Sequence, residues 1–578
     1  MYYIALTALQ SHWRTPKETL LLTDGCRLYD GGNAWENYPT TVDLDRFCSL
    51  EKFEVSYKYC SYVTSQIMPV LYHEIEKKYA LNMSYCVYEK LSYAWLLQFV
   101  QAVYDRYTSV NIAIKEIRNI CFLTASENQC LILDTMDYIK LSSCSDIFNL
   151  NLYSDIIRFL GAPRYDAQIQ HIERPDFLTL GSKRSIRWKE ALARVALQAG
   201  LRISGQKRHL LYDCYGVTSL KPLLKSGIVR LLPSWHQKTV SIPSRSNDFR
   251  DKPLPTASQD VFVALLAVLV PRYLPVTLCE MLPDILGWAR KQSLAGRGVL
   301  ATSLGPYTDP LLMALAGVSK RPLALVEHGG VGMQRINWHE DVQRRVADRY
   351  YGTGRNLGFW LPSPYLALRG KGQNLSAPVL VANDGYRFLP RLQLDWGQGS
   401  MQPYHSRRIS FLRLLPKAKR PYLRLYFREF GWGVRKRLDA SLPGLRYQDA
   451  VAVSIEQTLA DSCLLILDHY STSFHRSMAV NCPTLIFART DLFSPCAEPI
   501  IAALRTCGVW HDTPESAAEF YMNLIGNAPS WEKAAINIAD WWKGDDVQKA
   551  RNNFCSAYAQ ISEHWAQDWV TAFDSLAK

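Results

Sequence analysis

The clearest chemical pattern in the chain is found in residues 467–483 (LDHYSTSFHRSMAVNCP), where an apolar strand precedes a hydroxyl-rich turn and an amphipathic helix. The turn contains His469, Ser471, Thr472 and Ser473. A helix that begins there offers free backbone N–H groups and the positive end of its dipole, so it can hold an anion such as a nucleotide phosphate. The alternative is an ordinary Ser/Thr N-cap, which any such helix needs.

A second pattern, the sequence EHGGVG, follows a predicted strand and begins with Glu327 and His328. At the end of a strand His328 can project into a cleft, where it can bind a phosphate or donate a proton as the phosphate leaves. Gly329 and Gly330 allow a ligand or the opposite domain to approach the backbone closely. Glu327, and Glu340 in the polar cluster that follows, are further acid–base candidates. A structural histidine and a helix cap are the competing interpretations.

Asp24 lies at the end of an early predicted strand, in the sequence LLTDGC. A carboxylate at that place is positioned to act as a general base, which removes a proton from an attacking hydroxyl group. Asp-Gly is also a common turn sequence, so a purely structural role remains open.

The sequence REFGWG, which begins at Arg428, follows a predicted strand in the second half of the chain. Arg428 can pair bidentately with a phosphate or with a substrate carboxylate. Glu429 can accept hydrogen bonds from ribose hydroxyls, and Gly431 belongs to the same nucleotide-binding loop. A surface loop is the alternative interpretation.

The elements that must position these residues alternate between short apolar runs and longer amphipathic ones, which is typical of parallel sheets covered by helices. We therefore predict an α/β fold of two Rossmann-like domains that face a cleft, with C-terminal helices. The predicted domains are 1–357, with helical insertions, and 358–545, followed by helices at 546–578 that pack back on the first domain. The strands are predicted at residues 3–6, 20–22, 298–303, 322–326, 349–351, 379–382, 422–427, 463–467 and 484–487.

Composition sets further limits. Hydrophobic residues make up 48% of the 578 residues and charged residues 21%, a normal globular balance. The longest apolar run, 261–270, is far shorter than the roughly 20 residues that span a bilayer, and the N-terminus does not resemble a signal peptide. We therefore expect a cytoplasmic protein. The 14 cysteines form no CxxC pair, so neither a metal site nor a disulfide framework is expected.

The net charge is +13, and the most basic stretch, residues 407–437, contains Glu429 as its one acid. Such a stretch can attract phosphates, nucleic acid or an anionic membrane surface, although a solvated basic face is an equal alternative. The sequence contains no recognisable nucleic-acid-binding motif, so we do not expect nucleic acid as a partner.

Taken together, these segments resemble a bacterial family of transferases encoded in surface-carbohydrate loci, often beside genes for nine-carbon sialic-acid-like sugars such as legionaminic and pseudaminic acid. The similarity runs from end to end. Its landmarks are residues 20–29, 88–107, 327–330 with 337–341, 428–433 and 470–487.

The resemblance implies a metal-independent glycosyltransferase of the GT-B type, without a cofactor, whose first domain binds the acceptor and whose second binds the nucleotide sugar. The implied donor is a CMP-activated nonulosonic or other ulosonic acid, and the implied acceptor is a glycan or lipid-linked glycan at the inner face of the cytoplasmic membrane. A UDP- or GDP-sugar transferase, a polyol phosphate transferase and a non-catalytic scaffold of glycan assembly are the alternatives.

Two positions depart from the family pattern. Arg476 stands where the family tends to carry a glutamate in the helix after the hydroxyl-rich turn, and such a glutamate often holds the ribose. Glu327 stands where glutamine is frequent, in a segment with one glycine fewer. The donor preference can therefore differ, and Glu429 can replace the missing carboxylate.

Overall fold

The computed structural model describes residues 1–29, 34–39, 49–126, 131–167, 209–212, 214, 220–226, 228–231, 247–291, 298–364, 377–393 and 401–578. In these residues, the strands form three sheets, and all the strand pairs within the sheets are parallel. The predicted α/β class with helix-covered parallel sheets is confirmed. Residues 365–376, near the predicted start of the second domain, lie outside the described residues.

The first sheet has the strand order β2-β1-β3-β4. Its strands are β1 (Tyr2–Ala5), β2 (Thr19–Leu21), β3 (Ile120–Ala125) and β4 (Arg164–Ala167). The sequence pattern missed β3 and β4. All six side chains of β3 are buried, so its apolar run shows no alternation between an inner and an outer face.

Two long helices, Leu50–Tyr79 and Tyr85–Glu116, lie between β2 and β3 in the sequence. The chain leaves the first helix through Ala80, whose φ of 48° is left-handed and ends the helical hydrogen-bond ladder.

The second and third sheets share one topology, with the strand orders β6-β5-β7-β8-β9 and β11-β10-β12-β13-β14. In the second sheet β6 and β7 lie on opposite sides of β5, and in the third sheet β11 and β12 lie on opposite sides of β10. The order in which the strands are added therefore reverses between β5 and β7 and between β10 and β12. Ligands of doubly wound sheets bind at the carboxyl ends of such strand pairs. The strands are β5 (His209–Tyr212), β6 (Ile228–Leu231), β7 (Leu300–Thr302), β8 (Leu323–Val326), β9 (Arg349–Tyr351), β10 (Val379–Val381), β11 (Tyr422–Arg424), β12 (Leu465–Leu467), β13 (Thr484–Phe487) and β14 (Trp510–His511).

The remaining helices fill the layers on either side of the sheets. Their α-helical bounds in the first half are Thr135–Cys144, Asp146–Phe159, Leu220–Ser226, Asn247–Arg250, Val261–Tyr273, Leu282–Lys291, Gly305–Thr308, Pro310–Val318 and Trp338–Val346. In the second half they are Gln402–Leu414, Val434–Ser441, Ile455–Asp461, Thr472–Ala479, Glu498–Thr506, Pro514–Ile525, Trp531–Lys543, Asp545–Tyr558 and Trp565–Ala577. In this part of the chain, no helix is both long enough and apolar enough to cross a membrane.

The carboxyl ends of the second and third sheets face each other. Gly330, which follows β8, donates its backbone N–H to the Thr472 hydroxyl, which follows β12, over 3.4 Å. Two Rossmann-like sheets whose ligand-binding edges meet in this way form the arrangement of the GT-B fold. The first sheet is an addition to that pair.

Two further contacts tie the C-terminal half to the rest of the chain. The last helix, Trp565–Ala577, packs Trp569 and Phe573 into one apolar cluster with Val326 of β8 and Tyr351 of β9. Residues 385–393, which follow β10 and are called the crossing segment below, reach the helices of the first sheet. There Arg387 pairs with Asp146 at 2.5 Å, and Arg106 donates to the carbonyl of Leu389.

Candidate functional site

The helix Thr472–Ala479 begins at the carboxyl end of β12. Ser471 has an extended backbone (φ −162°), and its hydroxyl accepts the N–H of Ser473 at 3.3 Å, which makes it the N-cap. Phe474 and Met478 are fully buried against the third sheet, and this anchors the helix with its N-terminus at the cleft. Asn481, which follows the C-cap residue Val480, has a left-handed φ of 59° and ends the helix. A half-exposed helix N-terminus with three hydroxyl residues therefore lies at the edge where ligands bind.

Behind the N-cap, three side chains form a hydrogen-bonded relay. The Ser471 hydroxyl lies 2.9 Å from Nε2 of His469, and Nδ1 of His469 lies 2.8 Å from Oδ1 of Asp468. The buried carboxylate of Asp468 also accepts from the Tyr404 hydroxyl at 2.6 Å and from Nε of Arg408 at 2.5 Å. The Arg408 guanidinium holds the pKa of Asp468 well below its usual range, against the effect of burial.

A small cavity of about 60 Å³ opens beside this relay. Asp468, His469, Arg407 and Arg489 line it from the third sheet, and Gln334 lines it from the other half of the chain. Of the two arginines, Arg489 pairs with Asp491, and Arg407 donates to the backbone carbonyl of Asp512 at 2.7 Å.

Across the cleft, the EHGG turn is held by its first residue. The buried carboxylate of Glu327 accepts from the backbone N–H of Thr353 at 2.8 Å, from the Thr353 hydroxyl at 2.6 Å and from the N–H of Val331 at 3.3 Å. Burial raises the pKa of Glu327 to about 7. The three hydrogen bonds tie the end of β8 to the end of β9, so Glu327 shapes the turn.

The two glycines of the turn contact the helix Thr472–Ala479 directly. A Cβ atom at Gly329 would lie 2.3 Å from Oγ1 of Thr472, and a Cβ at Gly330 would lie 2.0 Å from the ring of His475. Real Cβ atoms do not approach other heavy atoms so closely, so both positions require glycine in this closed arrangement. The glycines thus allow the approach of the opposite domain, one of the two roles that the sequence predicted for them.

His328 lies in a cluster of rings next to this contact. Its ring centroid is 5.1 Å from that of His339, and the His339 ring lies at a tilt of 36° to Trp338, with the centroids 3.6 Å apart. The guanidinium of Arg391, from the crossing segment, covers Trp338 at 3.5 Å. Burial first, then Arg391 and Arg476, lower the pKa of His328 to about 4. At neutral pH, His328 is therefore an uncharged imidazole that can donate or accept a hydrogen bond.

Glu340 lies on the helix that carries His339. Its backbone N–H donates to the Asn337 side chain at 3.3 Å, and its carboxylate pairs with Arg344 at 2.6 Å. The polar cluster thus forms the cap and first turn of the helix Trp338–Val346, and this agrees with the helix-cap interpretation of the cluster.

Asp24 lies at the end of β2 in the first half of the chain, and the residues that follow it contact the REFGWG loop. Its side chain is nearly buried and lies 3.3 Å from a guanidinium nitrogen of Arg27. Arg387 of the crossing segment donates to the carbonyl of Gly25 at 3.2 Å. The backbone N–H of Tyr29 donates to the carbonyl of Gly431 at 3.0 Å. The structure therefore brings Asp24 and the REFGWG loop together from opposite halves of the chain.

Within that loop, one oxygen of Glu429 accepts the backbone N–H groups of Gly431 and Gly433, each at 3.0 Å. Arg428 is exposed, and its guanidinium lies over the ring of Phe427 at 5.0 Å. A cavity of about 160 Å³ lies beneath Arg428 and Glu429, and Asp384 lines its wall. Burial, reinforced by Glu429, raises the pKa of Asp384 to about 8.

The predicted site residues thus fall into two groups. Gly329 and Gly330 of the EHGG turn contact Thr472 at one place, and Tyr29, five residues after Asp24, contacts Gly431 of the REFGWG loop at the other. Sequence analysis missed Asp384, Arg391, Tyr404 and Arg408. The signal for Asp384 was present, since it follows a predicted strand in the sequence AND.

In the described residues, no group of three or more His, Cys, Asp or Glu side chains is arranged to hold a metal ion.

The family model of the LIC12162 family transferases matches residues 2–573, so the chain belongs to that family. No curated protein has a sequence that matches this chain.

Three solved structures match this chain at low sequence identity. A mutant O-GlcNAc transferase of Thermobaculum terrenum is 12% identical, with 90% of this chain and 99% of that chain covered and a TM-score of 0.29. The wall teichoic acid polymerase TagF is 10% identical, with 68% and 97% covered and a TM-score of 0.26. The α,α-trehalose 6-phosphate synthase of Burkholderia multivorans is 10% identical, with 64% and 99% covered and a TM-score of 0.32.

Proposed function

We propose that this transferase is a glycosyltransferase that moves a CMP-activated nonulosonic acid, or another ulosonic acid, onto a bacterial surface glycan. The observation that carries the proposal is the contact between the start of the helix Thr472–Ala479 and Gly330 at the carboxyl ends of two facing sheets. A nucleotide phosphate at this place would meet backbone N–H groups, hydroxyls and the helix dipole from one half, and His328 from the other. The nature of the donor rests on the resemblance of the sequence.

In the proposed reaction, Asp24 removes the proton of the acceptor hydroxyl, which attacks the anomeric carbon of the donor. The bond to the CMP phosphate then breaks, and the negative charge that develops on that phosphate is stabilised by the helix N-terminus. Neutral His328 contributes one N–H hydrogen bond. A single donor of this kind contributes roughly 3–4 kcal/mol in known enzymes. Protein dipoles and cations fill the role of a metal ion, so the reaction is proposed to be metal-independent.

Arg428 and Glu429 serve the donor in this proposal. Exposed Arg428 pairs with the carboxylate of the ulosonic acid, and Glu429 accepts from the ribose hydroxyls with the oxygen that its own loop leaves available. Arg476, which stands where the family pattern has a glutamate, pairs with Glu456 at 2.7 Å. This position therefore forms a salt bridge within its own domain. The acceptor is a glycan or lipid-linked glycan, reached from the inner face of the cytoplasmic membrane.

Thermal unfolding in the presence of CMP, CDP, UMP, UDP, GMP and GDP tests the donor class. A ligand at 100 times its Kd stabilises the folded protein by about 2.7 kcal/mol. We expect CMP or CDP to raise the Tm more than the uridine and guanosine nucleotides. Preference for a purine or a uridine nucleotide would overturn the ulosonate donor and favour a UDP- or GDP-sugar. Stabilisation by none of the six would favour a non-catalytic scaffold.

A double variant tests the phosphate site itself. Ser471→Ala with Thr472→Ala should weaken CMP binding strongly, while the loss of the N-cap costs only about 1 kcal/mol of stability. Ser530→Ala is the matched control, because Ser530 caps another helix through the N–H of Lys533. It should lower stability similarly and leave CMP affinity unchanged. Normal CMP binding by the double variant would reduce the segment to a helix cap.

A further inference from the structure

The relay Asp468–His469–Ser471 constrains where the Ser471 proton lies. An ionised carboxylate only accepts hydrogen bonds, so Nδ1 of His469, at 2.8 Å from Asp468, must carry a proton. In a neutral imidazole, Nε2 is then the acceptor, and the Ser471 hydroxyl at 2.9 Å donates to it. The oxygen of Ser471 also accepts the N–H of Ser473 at 3.3 Å.

These hydrogen bonds determine what the Ser471 hydroxyl can offer to a ligand. With neutral His469, the hydroxyl of Ser471 has its one proton committed to the imidazole, and it offers only a lone pair to the cleft. A phosphate also offers only lone pairs at neutral pH, so Ser471 would repel the ligand that the helix start is proposed to hold. If His469 is doubly protonated, Nε2 donates to Ser471, and the Ser471 proton is released toward the phosphate.

We propose that binding of a phosphate group at the start of the helix Thr472–Ala479 is coupled to uptake of one proton by His469, which turns Ser471 from an acceptor into a donor. This inference rests on the proposed function, because it requires a phosphate at that site. No covalent bond changes: one solvent proton binds to Nε2 of His469, and the hydroxyl proton of Ser471 rotates toward the ligand. His469 thereby acts on the phosphate through Ser471 and is a positioning residue.

The charges around the relay set the direction of the coupling. Asp468 favours the protonated imidazole, but Arg408 at 2.5 Å offsets its charge, and Arg407 and Arg489 line the cavity beside His469. Tyr404 is held uncharged, because burial raises its pKa well above the usual range. Arg489 is itself paired with Asp491. A bound phosphate dianion adds negative charge beside His469 and therefore favours the protonated imidazole.

Calorimetry of CMP binding at pH 7, in buffers with different ionisation enthalpies, measures the proton uptake. We expect the wild-type protein to take up close to one proton per CMP more than His469→Gln does, and the comparison removes any proton taken up by CMP itself. His564→Gln is the matched control, since His564 is exposed near the C-terminus, and it should behave as the wild type. Equal uptake by the wild type and His469→Gln would overturn the proposal and leave the proposed function standing.

A second variant and a ligand-free measurement complete the test. If His469→Gln fails to fold, His469→Asn takes its place in the test. This variant keeps a hydrogen-bond donor near Asp468 and removes the contact with Ser471, so it should also lose the proton uptake. In the free protein, ¹⁵N NMR of labelled histidines should show His469 as the Nδ1–H tautomer at pH 7. An Nε2–H tautomer, or a doubly protonated ring without ligand, would overturn the inference. If CMP and pyrophosphate both fail to bind, the proposed function fails, and this coupling fails with it.

Discussion

The backbone N–H of Gly330 donates to the hydroxyl of Thr472 over 3.4 Å, and this hydrogen bond joins two sheets that are far apart in the chain. It places the turn that carries His328 directly against the N-terminus of the helix Thr472–Ala479. The site is thus formed by both halves, and neither half contains it alone.

Gly330→Ala should interfere with this closure. The added Cβ would lie 2.0 Å from the ring of His475, and such overpacking costs about 1–3 kcal/mol unless the halves separate. We expect a lower Tm or, if the halves separate, a loss of nucleotide affinity. Calorimetry and nucleotide titration distinguish the two results.

Gly287→Ala is the control for that variant. Gly287 lies in the helix Leu282–Lys291, and its added Cβ would meet no atom within 4 Å. Alanine is favoured over glycine in a helix by about 1 kcal/mol, so this variant should be stabilised and keep its affinity. If Gly330→Ala behaved as Gly287→Ala does, the close contact would have no functional weight.

Asp24→Asn should separate transfer from nucleotide binding. A general base acts on the acceptor hydroxyl and does not contact the phosphate, so we expect transfer to fall by about 10²–10⁴-fold while CMP affinity changes little. The measurement is transfer with the natural acceptor beside a CMP titration. Exposed Asp540→Asn serves as control. Full activity of Asp24→Asn would move the base to another carboxylate, with Glu327 and Glu340 as the remaining candidates.

Asp384 should make stability depend on pH. Its pKa is raised to about 8 in the folded chain and is about 3.9 in an unfolded one, so the native state binds an extra proton between these values. Stability therefore falls as pH rises through that window. Asp384→Asn should flatten this decline and raise the Tm at pH 8.

The check is thermal unfolding of wild type and Asp384→Asn from pH 5 to 8. Asp251→Asn, at an exposed position, should follow the wild type. Part of the decline should remain in Asp384→Asn, because the raised pKa of Glu327 acts in the same direction below about pH 7. An identical slope in wild type and Asp384→Asn would contradict a protonated Asp384.

The proposed membrane contact can be tested with cations that the fold leaves exposed. Lys419 and Arg420 of the basic stretch donate to backbone carbonyls, so their replacement would perturb the fold as well as the charge. The suitable positions are Arg413, Lys417, Arg435 and Lys436. Replacing all four by Ser should weaken sedimentation with anionic vesicles, since each basic residue near such a surface contributes about 1 kcal/mol.

Added salt should weaken the same binding, because about 0.1 M salt screens charges beyond about 10 Å. The matched control removes four exposed lysines elsewhere, namely Lys320, Lys533, Lys543 and Lys549. It has the same net charge as the test variant and should bind as the wild type does. If the test variant and the control variant bound anionic vesicles equally, a specific membrane-binding face would be excluded. Equal binding of the wild type to neutral and anionic vesicles would exclude it too.

Local pattern predicted much of this architecture. The predicted strands at 322–326 and 349–351 correspond to β8 and β9, and the prediction at 484–487 corresponds to β13. The strands β8 and β13 are short apolar runs, and the burial of all their residues matches that pattern. The strands β5 and β6 were missed, and so was the two-residue β14, which is too short to give a period.

The candidate site was predictable residue by residue but not as an assembly. Asp24 and the REFGWG loop are both visible as polar residues after strands, yet their contact depends on how two halves dock. The place of Arg408 in the basic stretch does not reveal its pairing, because its partner Asp468 lies on another element of the fold. A buried ion pair is a property of tertiary structure, and periodicity along one segment does not contain it.

The crossing segment, residues 385–393, holds the two halves together by side-chain contacts in addition to the peptide chain that links them. Arg387 holds Asp146, Arg106 holds the carbonyl of Leu389, and Arg391 lies on Trp338, all in surroundings largely closed to water. A polypeptide cut between residues 364 and 377 should therefore remain a single particle in gel filtration. Two separately encoded fragments, divided at the same place, should find each other in the cell and restore the cleft.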